Sequence, residues 1–559
     1  MVALAALVHP PPARAQQVTG QQVLQAIEKG KAFLLGWQRA DGSWPNFASY
    51  TGGTTALATL ALLNAGLHPE NPRMKAALQA VRAIPHQRTY VVSLKSLALA
   101  AGGSNTFQAD LQAAAEWLIR AQRANGMWGY LQTGNQADFS NTQFALLGLD
   151  AAAAAGAKVP SAVWRKAESA YRLSQRHDGG FGYQPAGAGP TGSMTAAAVA
   201  SLYIVGNALS VSIPPATQPA SACCGRYAAY RPIARGLAWL DRHFSVEKNP
   251  ESGFWYYYYL YSLERVGIFS GLTRIGRHDW YREAAARLVA RQQRDGSWRE
   301  TNEIVDTSFA ILFLAKGHRP VLIQKLRWSR DSRWNTARND LAHLVGFIGD
   351  RIGGSPVAWN AVDLDDGAAA FLAAPLLYIS GQVFPDLAPQ HLDQLRAYLD
   401  AGGTLLVEAT CSRPAGRDGV LDVCRRAFPD HEPLRLTPDH PVFSALYPLD
   451  GSALELIGLD VGCRTSIFFS PDDLACRWES ADVVGPHRAA FELGANVAAY
   501  AAGLDPLPDR LDRPPKPLET TTTRPAVVLT GALVPALPPH PRAWRPRARA
   551  LPRLAEYLS

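Results

Sequence analysis

Two stretches of this 559-residue chain place polar groups where a buried helix begins: Asp138, Asn141, Thr142 and Gln143 in one, Asp306 and Thr307 in the other. A polar group at such a place needs a hydrogen-bonding partner or a ligand. If the two acids face each other across a cavity, they suit a general acid and base on a glycosidic bond, near the upper separation limit for an inverting pair. If they fold back, each caps its own helix, and capping explains both without a substrate. A third stretch sets Trp255, Tyr256 and Tyr257 in succession within FWYYYYLYSLERVG. At a helical period one or two of these rings must face inward. Aromatic walls suit prenyl chains, sugars or carbocations, and equally a packed core. Further on, Ser380, Glu408, Cys411, Ser470, Asp472 and Asp473 stand where β-rich runs end. Polar groups at the carboxyl ends of parallel strands mark the place where such sheets bind ligands. Ser470-Pro471-Asp472-Asp473 also makes a good helix cap.

The elements that must hold the first group come from a repeat. Gln38 to Trp44, Gln122 to Trp128, Gln175 to Phe181 and Gln292 to Trp298 share Gln, then Asp or Asn at plus three, Gly at plus four and an aromatic at plus six. Asp-Gly supplies turn chemistry. Each turn follows an amphipathic run and precedes a small-residue helix, apolar all round and therefore buried. Such helices start near Thr51, Tyr90, Asp138, Thr191, Phe254 and Ile304. Alanine-rich runs with glycine at their C-terminal ends exclude propeller blades. The expectation is an all-α (α/α)6 toroid of six helix pairs over residues 18–319.

QRADGSW and its three partners resemble the glutamine and tryptophan repeat of squalene and hopene cyclases, shared with protein prenyltransferase β subunits. The resemblance implies an inner ring of helices wrapped by an outer one, around a central cavity. Prenyltransferase β subunits hold zinc with Asp, Cys and His, whereas this toroid's cysteines, Cys223 and Cys224, lie in a Pro-rich insert. That pair could form a vicinal disulfide or stay as loop thiols, and neither metal nor cofactor is expected. The cyclases use an Asp-any-Asp-Asp acid. Those letters occur as Asp363-Leu364-Asp365-Asp366, after the sixth pair has closed, and read better as a strand end and turn.

From Pro320 the pattern changes to β-rich runs alternating with amphipathic helices: VLIQKLRW, NDLAHLVGFIGDRI, PLLYISG, HLDQLRAYLDAGG, TLLVEAT, RTSIFFSPDD and ANVAAYAAG. This predicts an α/β domain with an open, mostly parallel sheet over residues 320–503. PLLYISG, LRAYLDAGGTLLVEATC, PDHPVFSALY and RTSIFFSPDDLACRW resemble the bacterial family known as domain of unknown function 4159, whose sheet is likened to class I glutamine amidotransferases. Asp439, His440, Arg464 and Asp472 match positions in its motifs, which the resemblance offers as an anion or metal site. Asp439-His440-Pro441 also makes a good turn. Cys411 lacks the glycine neighbours of a nucleophile elbow, so amidotransferase chemistry is not expected.

Lys and Arg number 55 against 47 Asp and Glu, a net charge of +8 without a dense basic block. That balance describes a solvated surface and excludes nucleic acid as the expected partner. Residues 1–15 hold a short apolar run and an Ala13-Arg14-Ala15 cleavage pattern without a basic start, read as a signal remnant that implies export to the periplasm or cell envelope. No other run is expected to span a bilayer. Residues 504–524 form a Pro-rich linker. Residues 525–559 are expected to begin a second copy of the α/β domain, Trp544 with Leu551, Leu554, Tyr557 and Leu558 echoing Trp334 with Leu341, Leu344, Phe347 and Ile348; either the sequence is truncated at Ser559, the simpler reading, or the last unit completes a sheet borrowed from a partner. Two functions follow. One is a non-catalytic envelope protein that binds lipid, glycan or protein; the other is an enzyme acting on an isoprenoid or carbohydrate with Asp138 and Asp306 as acids.

Overall fold

The computed structural model describes residues 18–211, 231–329, 332–351, 357–381, 387–408, 414–450, 454–480, 483–503 and 511. The signal stretch, Cys223, Cys224, Cys411, nearly all of the 504–524 linker and the partial copy at 525–559 lie outside them. The chain forms two compact units, one drawn from residues up to His318 and the other mainly from Arg319 onward.

In the first unit outer and inner helices alternate: α1 (Gly20–Trp37) and α2 (Gly53–Asn64), α3 (Pro72–Arg82) and α4 (Thr89–Gly103), α5 (Gln108–Ala121) and α6 (Phe139–Ala154), α7 (Ser161–Ser174) and α8 (Gly192–Val211), α9 (Arg231–Arg242) and α10 (Tyr256–Ser270), α11 (Trp280–Arg291) and α12 (Glu303–Gly317). Inner helices are buried all round, as α2 shows with ten of its twelve residues in the core. Outer helices are amphipathic; α1 starts in a capping box between Thr19 and Gln22. Inner helices α2, α4 and α6 pack in sequence, and α12 returns against α1 and α2, joining the last pair to the first.

The repeat is the device that joins the pairs. Trp44, Trp128 and Trp298 each donate an indole N–H, at 2.7–2.8 Å, to a carbonyl ten residues back near the end of the preceding outer helix, where helical carbonyls lack partners. Each glutamine amide reaches the glycine carbonyl of its own turn and, for Gln38, Gln122 and Gln292, a carbonyl of the next outer helix. Gln292 donates to Ala26 at 2.8 Å and so ties the last pair to the first. The turn glycines have positive φ, and a Cβ on Gly296 would stand 2.4 Å from the Lys29 carbonyl oxygen. Only glycine permits that approach.

The second unit is a seven-stranded sheet in the order β2-β1-β3-β4-β7-β6-β5. Its elements are β1 (Val321–Arg327), α13 (Asp340–Arg351), β2 (Ala358–Asp363), α14 (Ala368–Phe371), β3 (Leu376–Ile379), α15 (Pro389–Asp400), β4 (Thr404–Glu408), α16 (Pro414–Ala427), β5 (Leu434–Arg435), β6 (Ile457–Val461), β7 (Arg464–Ser470), α17 (Leu474–Glu479) and α18 (Pro486–Ala502). Strands β2, β1, β3, β4 and β7 are parallel, and β6 and β5 continue antiparallel. Side chains alternate between two cores: Leu376, Tyr378 and Phe468 join α13, α17 and α18 on one face, while Leu377, Ile379 and Phe469 join α15 and α16 on the other.

Gly192–Leu209 of α8 is 18 residues long with mean hydropathy 1.3, and 72 % of it is buried inside the protein. It is the one helix among the described residues long and apolar enough to span a bilayer, and its burial is consistent with the expectation of no transmembrane helix.

Candidate functional site

The inner helices of the first unit enclose a cavity of about 330 Å³ at their N-terminal ends, a volume at the lower end of the roughly 300–1,000 Å³ of small-molecule sites. First turns supply Gly53, Thr54, Val91, Ser140, Ser193, Met194, Tyr258 and Val305; second turns supply Leu57, Leu94, Phe144 and Phe309. The floor lies at that second turn. There Phe144 contacts Tyr90 at 4.7 Å and Tyr258 at 6.0 Å between ring centres, and Phe309 meets Tyr258 and Tyr261. Below it Gln143 links α6 to α10, accepting from the Tyr258 hydroxyl at 2.6 Å and donating to Ser262 at 3.3 Å.

The mouth is built from the loops that enter the inner helices. Tyr50, Tyr90 and Tyr130 touch one another with ring centres 6.0–6.4 Å apart, and the Tyr130 and Tyr183 hydroxyls share a 2.6 Å hydrogen bond. Repeat-turn arginines hold these loops: Arg123 donates to the carbonyls of Leu131, Gln132 and Thr133, and Arg176 to those of Gly187 and Ala188. Trp255 completes the rim, 48 % exposed and at φ +65°. That conformation is unusual for a bulky residue.

Of the toroid residues that the sequence singles out, Trp255 lines this cavity; Asp138, Asn141, Thr142, Gln143, Tyr256, Tyr257, Asp306 and Thr307 do not. The reason in each case is a local partner. Asp138 caps α6, accepting from the Ser140 hydroxyl (2.6 Å), the Asn141 amide N–H and the Asn141 side chain (both 2.8 Å). Asp306 sits one turn inside α12 and does not cap it, Asn302 being the cap. One oxygen of Asp306 instead accepts three backbone N–H groups, from Glu300 and Thr301 at 2.7 Å and Asn302 at 3.0 Å. Burial outweighs these donors and raises its pKa to about 6. Thr142 and Thr307 accept the backbone N–H of Trp128 and Trp298, as Thr55 and Thr195 do in their own units. These threonines belong to the repeat. Tyr256 donates to the Val246 carbonyl and lies under Arg291, and Tyr257 is buried beside Asp306, its phenol pushed up to about 12 chiefly by that burial.

The residues overlooked in the sequence are tyrosines. Tyr130 and Tyr183 each stand two positions past a repeat aromatic, in Trp128-Gly129-Tyr130 and Phe181-Gly182-Tyr183, a signal legible once the repeat is aligned. Among the described residues, the lining contains no Asp, Glu, Lys, Arg or His.

In the sheet unit the candidates split between opposite edges. Ser380, Glu408, Ser470, Asp472 and Asp473 lie at or just past the carboxyl ends of β3, β4 and β7, with Glu408 paired to Ser470. Glu408 accepts from the Ala475 N–H, Asp473 caps α17, and Asp472 accepts from Glu455 N and Arg477. Arg464 begins β7 and donates to Gly402 and Thr404, at the amino end of β4. His440 caps a short helix and meets Thr465 at 3.1 Å, and Asp439 beside it is exposed. Six residue steps of strand, about 20 Å, separate the two sets, so they form no single site. Asp363 ends β2, is paired with Arg327 and caps the turn that Asp366 completes, which accounts for the Asp-any-Asp-Asp letters.

One buried group was passed over. Lys325, in the middle of VLIQKLRW, is wholly buried and donates to Asp340 at 2.6 Å, to Asn335 and to the Ala337 carbonyl, both at 2.8 Å. Tyr378, Glu408 and Asp473 lie near it at the same edge. Burial raises the Asp340 pKa against the pull of Lys325. A lysine inside an apolar strand run is the signal that could have found it.

Comparison with known proteins adds the following. No curated protein matches the chain significantly. A variant of the type II terpene cyclase MstE from Scytonema, in complex with its substrate geranylgeranyl dihydroxybenzoate, is 12 % identical and covers 53 % of this chain and 97 % of that one, with a TM-score of 0.38. The same enzyme without ligand is 15 % identical over 53 % and 99 %, with a TM-score of 0.25. Residues 322–502 match the family described as Domain of unknown function (DUF4159).

Proposed function

We propose that the helical unit is a binding module for a small apolar ligand of isoprenoid character and performs no cyclisation. The observation that carries this is the fate of the two acids: Asp138 and Asp306 are both engaged by their own helix starts and loops, and neither reaches the cavity. A wall of rings, aliphatic side chains and hydroxyls binds apolar surface without supplying a proton. Residence in the cell envelope, expected from the apolar N-terminal stretch and its cleavage pattern, fits this role. The test is organic extraction of the purified protein followed by mass spectrometry, beside the cavity-filling variant Leu57→Trp. A prenyl or polyisoprenoid lipid present in the first and lost in the second supports the reading; an empty extract in both, with no uptake of added lipid, sinks it.

The enzyme reading retains one observation, the raised pKa of Asp306, since perturbed acids gather at functional sites. Turnover of an isoprenoid or glycan that is abolished by Asp306→Asn in a protein of unchanged stability would favour it.

A further inference from the structure

Aromatic rings close the inner end of the cavity. Phe144, 1 % exposed, is surrounded by Tyr90, Tyr258 and Tyr261 with ring centres 4.7, 6.0 and 6.1 Å away, and Phe309 packs on Tyr258 and Tyr261 at 6.1 and 5.1 Å. Behind these rings the interior turns polar. The buried Gln143 amide spans Tyr258 and Ser262, and one turn further along α10 Arg265 lies over the Tyr261 ring at 5.2 Å and donates twice to Glu264 at 2.6 Å. Hydrocarbon pushed past the rings would have to part these bonds, and a buried polar group left without its partner is costly.

The cup so formed is shallow. Phe139 opens α6 and Phe144 floors the cavity five residues on, a rise of about 8 Å along the helix. A cavity of about 150 Å³ takes one benzene, about 25 Å³ for each carbon, so the roughly 330 Å³ here holds about 13 carbons, or two to three isoprene units. Resting on the binding reading above, we infer that the Phe144–Phe309 floor limits the occupant by size: about 13 carbons of hydrocarbon enter, and any further length stays at the Trp255 rim and in water. Phe144 sets that limit from below, and Leu94, in the wall on α4, sets it from the side.

The experiment measures binding of radiolabelled 1-octanol, 1-decanol, 1-dodecanol, 1-tetradecanol and 1-hexadecanol to the full chain by equilibrium dialysis, each below its solubility limit. A methylene that enters the cup is expected to tighten binding about four-fold, and one that stays outside by less than about 1.5-fold. In the wild-type protein the rise should therefore break at about 12–14 carbons. Phe144→Leu deepens the cup by about three carbons and should carry the rise on to 1-hexadecanol, whereas Leu94→Phe fills it by as much and should end the rise at 1-decanol. The shortest alcohol fits all three proteins, and its affinity, within about three-fold of wild type, reports that each variant is folded. Affinity that climbs evenly through 1-hexadecanol in the wild type overturns the size limit and leaves the binding role standing. A break that stays in place in a variant with normal 1-octanol binding overturns the assignment of that residue; if one variant does not bind 1-octanol, the other and the wild-type series decide. Failure of every alcohol to bind the wild type sinks the binding role itself.

Discussion

The sharpest test of the two acids is at Asp138, where capping and catalysis predict opposite things. Replacing Asp138 by Ala removes a helix cap, about 1–2 kcal/mol, and leaves the buried Ser140 hydroxyl and Asn141 side-chain N–H without their acceptor, at about 1 kcal/mol each. The sum is about 3–4 kcal/mol. Replacement by Asn should be mild, because Asn caps as well as Asp. It can also be accommodated in a particular way: the Asn141 side-chain oxygen is buried without a partner, so a turn of that amide lets it accept from the new side-chain NH2. The expected loss is about 1 kcal/mol. Differential scanning calorimetry of the purified chain reads both. The transition of the helical unit should fall by roughly 6–16 °C for Asp138→Ala and by about 2–4 °C for Asp138→Asn. A catalytic acid would behave otherwise, with both variants near wild-type stability and both inactive. Asp138→Ala melting within about 2 °C of the wild type refutes the capping account.

Other expectations follow from the same structure. Burial raises the Asp306 pKa from the ordinary 3.8 to about 6, so the folded state holds the proton more tightly than the unfolded one. Stability is therefore lost as pH rises from about 4 to about 6, by up to about 3 kcal/mol. Asp306→Asn should raise the melting temperature at pH 8 and bring no gain at pH 4; an equal effect at both values would count against the buried-acid account. Gly296→Ala, at φ +88° and 2.4 Å from the Lys29 carbonyl oxygen, should cost about 2–4 kcal/mol. Gly66→Ala, at φ +90° with open space around it, should cost about 1–2 kcal/mol, and similar losses at both sites would show that the close approach at Gly296 is not needed. Lys325→Met leaves Asp340 buried without its cation and should destabilise the sheet unit by about 3–5 kcal/mol in urea unfolding. Adding Asp340→Leu should recover part of the loss, and a single variant within 1 kcal/mol of wild type would show that the pair is dispensable.

The repeat and the number of helix pairs were legible because the work of those residues is local. An Asp-Gly turn, an indole that reaches ten residues back and an inner helix without a polar face leave their marks at fixed spacing, as Gln38, Gly42 and Trp44 do. The alternation of strand and helix after Pro320 was legible for the same reason, with β2 showing only as the strand end at Asp363, while β5 and β6 were not, being short or hidden among mixed residues. What the sequence could not contain is direction across space. Asp138 and Asp306 both open buried helices on paper, yet each turns to backbone donors within six residues, and the pocket went to Tyr50, Tyr130, Tyr183 and Tyr258, which come from four different pairs. Likewise Arg464 and Ser470 lie six residues apart in one strand, but pairing β7 parallel to β4 puts them at opposite edges of the sheet. Local chemistry is encoded by neighbours in the chain. Which side chains meet at a cavity depends on ring closure and strand order, set by contacts hundreds of residues apart such as that of Gln292 with Ala26.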